Sequence, residues 1–109
     1  MRAGAMDREI TIEAVTETRT ATGAVSKSWA TFATVWAERR DVRASEQFKA
    51  NREMAERATV WRIRYLPGLT EKHRINDGVQ IWDIDAIAEI GRRDGLEILA
   101  MRAGSSSLS

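Results

Sequence analysis

The chain has 109 residues, 43% of them apolar and 30% charged, which suits one hydrophobic core of ordinary domain size and not two. Its 17 basic residues against 16 acidic ones leave a formal net charge of +1, so there is no general attraction to nucleic acid or to an anionic membrane and any basic surface has to be local. The absence of cysteine excludes a disulfide framework, thiol catalysis and thiolate metal sites, and the single histidine, His73, leaves little for a zinc centre.

No apolar run approaches the roughly 20 residues of a membrane span, and the opening residues lack the apolar stretch of a signal peptide; the expectation is a soluble, intracellular chain with no membrane partner. Arginine supplies 14 of the 17 basic residues, with lysine only at Lys27, Lys49 and Lys72. Arginine suits planar pairing with carboxylate or phosphate, and coding bias in a GC-rich genome would produce the same excess.

Arg8 to Val15 alternates, with Ile10, Ile12 and Ala14 on one face and Glu9, Thr11 and Glu13 on the other, the period of a half-buried strand. Thr18 to Ser26 contains Thr20, Thr22, Gly23 and Ser26 and almost nothing apolar, which predicts the exposed loop of a long hairpin. From Lys27 to Val42, Trp29, Phe32, Val35, Trp36 and Val42 favour β structure. No single parity holds across Ala30 to Ala33, so a bulge or short break has to rephase the strand there.

The segment from Ala44 to Arg57 has no β-branched residue and is rich in Glu, Gln, Lys, Arg, Ala and Met, which predicts one inserted α-helix over about 44–57 with Ser45 as its N-cap. Its apolar face is thin: Ala44, Phe48, Ala55 and Ala58 lie near one side and Asn51 interrupts them. Such a helix either rests on the rest of the fold through Phe48 or projects toward partners.

Strand character returns at Ala58 to Leu66, where Thr59, Trp61, Ile63 and Tyr65 share one face and Val60, Arg62, Arg64 and Leu66 the other. Pro67-Gly68 fits the centre of a type II turn, and Asn76-Asp77-Gly78 marks a hairpin before a long strand from Val79 to Ile90 with Trp82, Ile84 and Ile87. After the Gly91 to Gly95 turn, Leu96 to Arg102 is apolar on both faces, as in a strand covered on two sides. Together these elements predict a mainly β fold, a small antiparallel β-barrel or closed sandwich of about five or six strands with one inserted α-helix. A single barrel domain over 1–103 is expected, with a flexible polar tail at 104–109. The alternations nominate Ile10, Ile12, Trp36, Trp61, Ile63, Trp82, Ile84 and Ile98 for the core.

Little in the sequence points to catalysis. His73 lies between Lys72 and Arg74 in a turn-rich connector with no nucleophile pattern, and Asp83 and Asp85 share a strand face without a third acidic ligand. The glycines at 91 and 95 lack the context of a phosphate loop. No enzyme activity, metal or cofactor is expected. The one local basic feature is Arg39, Arg40 and Arg43 at a strand end, followed by Lys49 and Arg52, a set that could touch phosphates in a salt-dependent way.

The order of features resembles the head-tail joining proteins of tailed bacteriophages, also called head-closure, stopper or adaptor proteins. The resemblance is carried by Gly4 and Met6 leading into Ile10-Thr11-Ile12, Gly23, Trp29, Val35-Trp36-Ala37, Ile63-Arg64-Tyr65, Pro67-Gly68-Leu69-Thr70, Arg74-Ile75, Gly78, and Trp82-Asp83-Ile84 with Ile87. Ala21 and Thr22 depart from a pattern that often has an acidic and an aromatic residue there.

The resemblance implies a small barrel in the neck of a phage or phage-like particle, assembled in the host cytoplasm as a ring, usually dodecameric, beneath the portal and adaptor. That ring would retain packaged double-stranded DNA and offer a docking surface to a tail terminator or tail tube protein. It makes Arg39, Arg40, Arg43, Phe48, Lys49 and Arg52 candidates for the DNA channel or the ring interface. The alternatives are another neck or tail-completion protein, such as a tail terminator, and a stand-alone nucleic-acid-binding barrel of OB type.

Overall fold

The computed structural model describes residues 6–103; the tail expected at 104–109, and Gly4 of the family pattern, lie outside them. Runs of period-two alternation become β1 (Arg8–Arg19), β2 (Val25–Arg40), β3 (Ala58–Arg64), β4 (Arg74–Asn76), β5 (Ile81–Ile90) and β6 (Gly95–Arg102). All neighbours are antiparallel in the order β1-β2-β3-β6-β5-β4. The sheet closes on itself because β1 also pairs with β4, Ile12 opposite Ile75. Closure leaves the barrel proper no open edge.

One parity of each strand fills the barrel. Ile10 and Ile12 enter from β1, Ala37 from β2, Trp61 and Ile63 from β3, Ile75 from β4, Trp82 and Ile84 from β5, and Leu96, Ile98 and Ala100 from β6. The Trp61 and Trp82 rings meet edge to face with centroids 6.0 Å apart and occupy much of this interior.

Two bulges preserve the parity. Ala33 stands opposite Ile12 but Thr31 opposite Glu13, so Phe32 is the extra residue on β2; on β5 the same shift leaves Asp85 unpaired between Ile84 and Ala86. Without the second bulge Ile84 and Ile87, three apart, could not both pack on the interior.

Two expectations from the sequence are corrected here. Trp36 is 56% exposed and does not belong to the core. Val35 packs against the interior and Ala37 is buried in it, so the residue between them points outward; beside two indoles the barrel has room for a methyl group, not a third ring. The inserted α-helix over 44–57 is also absent: the segment forms two 3-10 turns, Val42–Ala44 and Lys49–Met54. Their side chains lie on the outside of the barrel, where Val42 and Phe48 cluster with Ala58, Val60 and Leu99. This cover is why β6 is apolar on both faces.

The outer halves of β1 and β2 run beyond the barrel as an exposed hairpin, which stretches the molecule to 49 Å against 28 and 23 Å. Its base is held to β4 by Arg74, whose Nε donates to Glu13 Oε1 at 2.6 Å and whose guanidinium lies 4.1 Å from the Trp29 ring centre. At the Pro67-Gly68 turn Gly68 has φ +86°, a left-handed backbone conformation that favours glycine.

The two tryptophans separate core from surface in solution. Trp61→Ala is expected to lower stability by about 3–5 kcal/mol, and Trp36→Ala to change it by no more than about 0.5 kcal/mol. Denaturant unfolding of both variants checks this, and equal losses would contradict the assigned parity of β2.

Candidate functional site

The insert between β2 and β3 is built on a spacing of three. Val42, Ser45 and Phe48 are buried and Asn51 and Met54 half-buried, while Arg43, Lys49, Ala50 and Arg52 between them are exposed. Side chains three apart eclipse one another in a 3-10 helix, so this pattern fits 3-10 turns and would spiral off the barrel in an α-helix. Asp41 caps the first turn, its Oδ1 accepting from the Arg43 amide at 2.8 Å. Between the turns, Ser45 Oγ accepts from the amides of Gln47 at 3.2 Å and Phe48 at 3.1 Å. Ser45 does act as a cap, though of a turn.

The same hydroxyl donates to Glu97 Oε1 at 2.6 Å. Glu97 lies on the outward face of β6 and is only 1% exposed. Its other oxygen accepts from Arg62 Nε at 3.1 Å and Nη2 at 2.7 Å, a forked ion pair across β3 and β6. Ser45, Glu97 and Arg62 therefore fasten the insert to the barrel wall. The sequence offered one sign of this: a single carboxylate on a strand face otherwise made of Leu99 and Met101.

With its apolar and anchoring residues turned inward, the insert presents its cations outward. Arg43, Lys49, Ala50 and Arg52 line one shallow depression of about 370 Å³. Arg43 is held by Asp41 at 3.0 Å, whereas Lys49 and Arg52 have no carboxylate within 4.0 Å among the described residues. The other nominated residues lie apart from this rim. Arg40 reaches back to the Ala44 carbonyl at 3.3 Å. Arg39 turns to the end of the barrel, its guanidinium 5.2 Å from the Trp82 ring centre and 5.7 Å from that of Trp61. Phe48, 8% exposed, sits beneath the insert and cannot face a channel or a neighbouring subunit; the burial of its ring on the outer cluster is what holds the turn down.

Elsewhere the titratable residues serve local structure. His73 Nδ1 accepts from the Thr70 amide at 3.1 Å and its ring packs against Phe32 at a tilt, with centroids 4.4 Å apart. Asp83 and Asp85 are exposed, and among the described residues no group of three His, Asp or Glu converges as metal ligands.

The profile of the phage head completion protein family matches residues 1–104. The chain belongs to that family. As a head completion protein it is a structural component of the phage head-tail assembly, in keeping with the resemblance of its sequence. Among solved structures it is similar to protein SF1141 from Shigella flexneri 2a, at 25% identity over 96% of this chain and 99% of that chain with a TM-score of 0.78. It is also similar to a chain in the virion of a native gene transfer agent particle, at 21% identity over 89% of this chain and 94% of that chain with a TM-score of 0.62; this second likeness is one of fold. No curated protein matches.

In this head completion protein the anchor of the insert is open to direct test. Ser45→Ala removes a donor from a buried carboxylate and an acceptor from two amides, and is expected to cost about 1–3 kcal/mol. Combined with Glu97→Gln the two losses should couple by about 0.5–3 kcal/mol in a double-mutant cycle. Additive losses would show that the hydroxyl and the carboxylate do not act as one contact.

Proposed function

We propose that the chain is the head-closure, or stopper, subunit of the neck. A ring of copies, dodecameric in the particle, sits beneath the portal and adaptor proteins, holds packaged double-stranded DNA and receives the tail terminator or tail tube protein. The subunit is made and assembled in the host cytoplasm and carries out no chemistry of its own.

The observation that carries this reading is the basic rim of the insert. Arg43, Lys49 and Arg52 surround one depression on a segment pinned to the barrel by the Ser45 hydrogen bond to buried Glu97, so they form a fixed cationic edge on a chain of nearly neutral net charge. One such edge binds a phosphate backbone weakly. Repeated around a ring it becomes a multivalent collar, and its attraction falls steeply with salt. The outer surface of β2 supports ring assembly: Val25, Trp29 and Phe32 on the projecting hairpin and Trp36 on the barrel wall beside it all expose large apolar surface on the free subunit. In a ring each subunit meets its neighbours through two different surfaces, so an exposed arm on one side is suited to covering the next copy.

Replacing the rim by Arg43→Gln, Lys49→Gln and Arg52→Gln tests the reading in particles. The isolated variant should keep its stability within about 0.5 kcal/mol, since these side chains are exposed. Particles made with it are expected to lose DNA or fail to take tails. A normal yield of DNA-filled, tailed particles would remove the insert from the closure function.

A further inference from the structure

The inward parity of three strands ends in arginine at one mouth of the barrel. On β1 the row Ile12, Ile10 continues to Arg8; on β2 Val35, Ala37 continues to Arg39; on β6 Ile98, Ala100 continues to Arg102. The pairings Arg8 with Ala37, Arg39 with Trp61 and Arg102 with Trp82 place all three at the same end. They line one pocket of about 310 Å³ with Asp77, Val79, Gln80 and Trp82. Among the described residues none of the three arginines has a carboxylate within 4.0 Å.

Arg39 and Asp77 are held in place before anything enters the pocket. Arg39 lies over the Trp61 and Trp82 rings and donates to Thr59 Oγ1 at 3.4 Å, which leaves most of its donors free. Asp77 does not neutralise the site. Its Oδ1 accepts from the amides of Val79 at 2.8 Å and Gln80 at 2.7 Å, and its Oδ2 from Trp82 Nε1 at 3.0 Å. Burial raises the Asp77 pKa, but these bonds and the charge of Arg39 outweigh it and hold the carboxyl below its ordinary value. Its acceptors are thus spent on the turn, and three positive charges face one negative.

The chemistry of the rim says what kind of anion fits. Val79 is 96% exposed at the edge of the pocket, an apolar side chain beside the three arginines, whereas the Trp82 ring lies buried beneath Arg39. A free oxyanion or a phosphodiester would use the arginines and leave that apolar edge in water. A peptide with a carboxylate beside an aliphatic side chain uses both.

We propose that this mouth is a docking site for an acidic-apolar peptide segment of a partner protein, with Arg8, Arg39 and Arg102 binding the carboxylate and the exposed Val79 side chain the neighbouring aliphatic group. The site is separate from the basic rim of the insert and does not require that rim to meet DNA.

The test uses the purified protein, with the Trp82 indole N–H followed by nitrogen-proton NMR. The probes are an acetylated, amidated Leu-Glu-Leu-Glu peptide, its Leu-Gln-Leu-Gln counterpart, and inorganic phosphate. The acidic peptide should shift the indole resonance saturably, the glutamine peptide should not, and phosphate should bind at least tenfold more weakly. Arg8→Gln with Arg102→Gln should weaken the acidic peptide at least tenfold without moving the unfolding midpoint, and Val79→Ser should weaken the peptide but not phosphate. The proposal is overturned if the acidic peptide causes no saturable shift, if phosphate binds as well as the peptide, or if the arginine variant binds undiminished.

Discussion

A carboxylate buried on the outside of a barrel wall governs the form of this protein. Glu97 is only 1% exposed, and a carboxylate stripped of water is costly unless hydrogen-bond donors replace it. It receives them from two directions: Arg62 along the sheet and Ser45 from the insert above it. The second contact requires that residues 42–48 lie against β3 and β6. Once they do, Val42 and Phe48 cover Val60 and Leu99, and the outer face of β6 becomes a second core.

The inner core obeys a different constraint, that of volume. Two indoles packed edge to face leave room for small and aliphatic partners, so β2 turns Ala37 inward and Trp36 outward, and the bulges at Phe32 and Asp85 bring the remaining isoleucines into phase. The same parity runs out at the barrel mouth into Arg8, Arg39 and Arg102. Inner packing therefore places one cationic site and the outer anchor another, and neither depends on a general excess of positive charge.

Much of this was legible in the sequence. Alternation located the strands other than the three-residue β4 to within a few residues, the broken parity at Ala30 to Ala33 anticipated the β2 bulge, and the apolarity of both faces of Leu96 to Met101 announced a covered strand. The insert was misread because helix propensity is a weak preference, and anchors at Val42, Ser45 and Phe48, three apart, override it. Trp36 is apolar enough for a core position, but hydrophobicity alone does not say which of three consecutive residues, Val35, Trp36 and Ala37, the interior can hold. Glu97 and the arginine mouth escaped notice because their meaning lies in partners 35 to 52 residues away for Glu97 and on other strands for Arg8 and Arg102. A one-dimensional pattern carries parity but not pairing.

The central claim is that the insert is a fixed part of the wall, and that its cations are therefore fixed too. Native-state amide hydrogen exchange measures this most directly. The Phe48 amide, bonded to Ser45 Oγ, and the Asn51 amide, bonded to the Phe48 carbonyl at 2.8 Å, should exchange only through openings nearly as costly as those that release β3 and β6. If those amides exchange at the rate of a free peptide while β3 and β6 stay protected, the insert is a loose arm and the account fails.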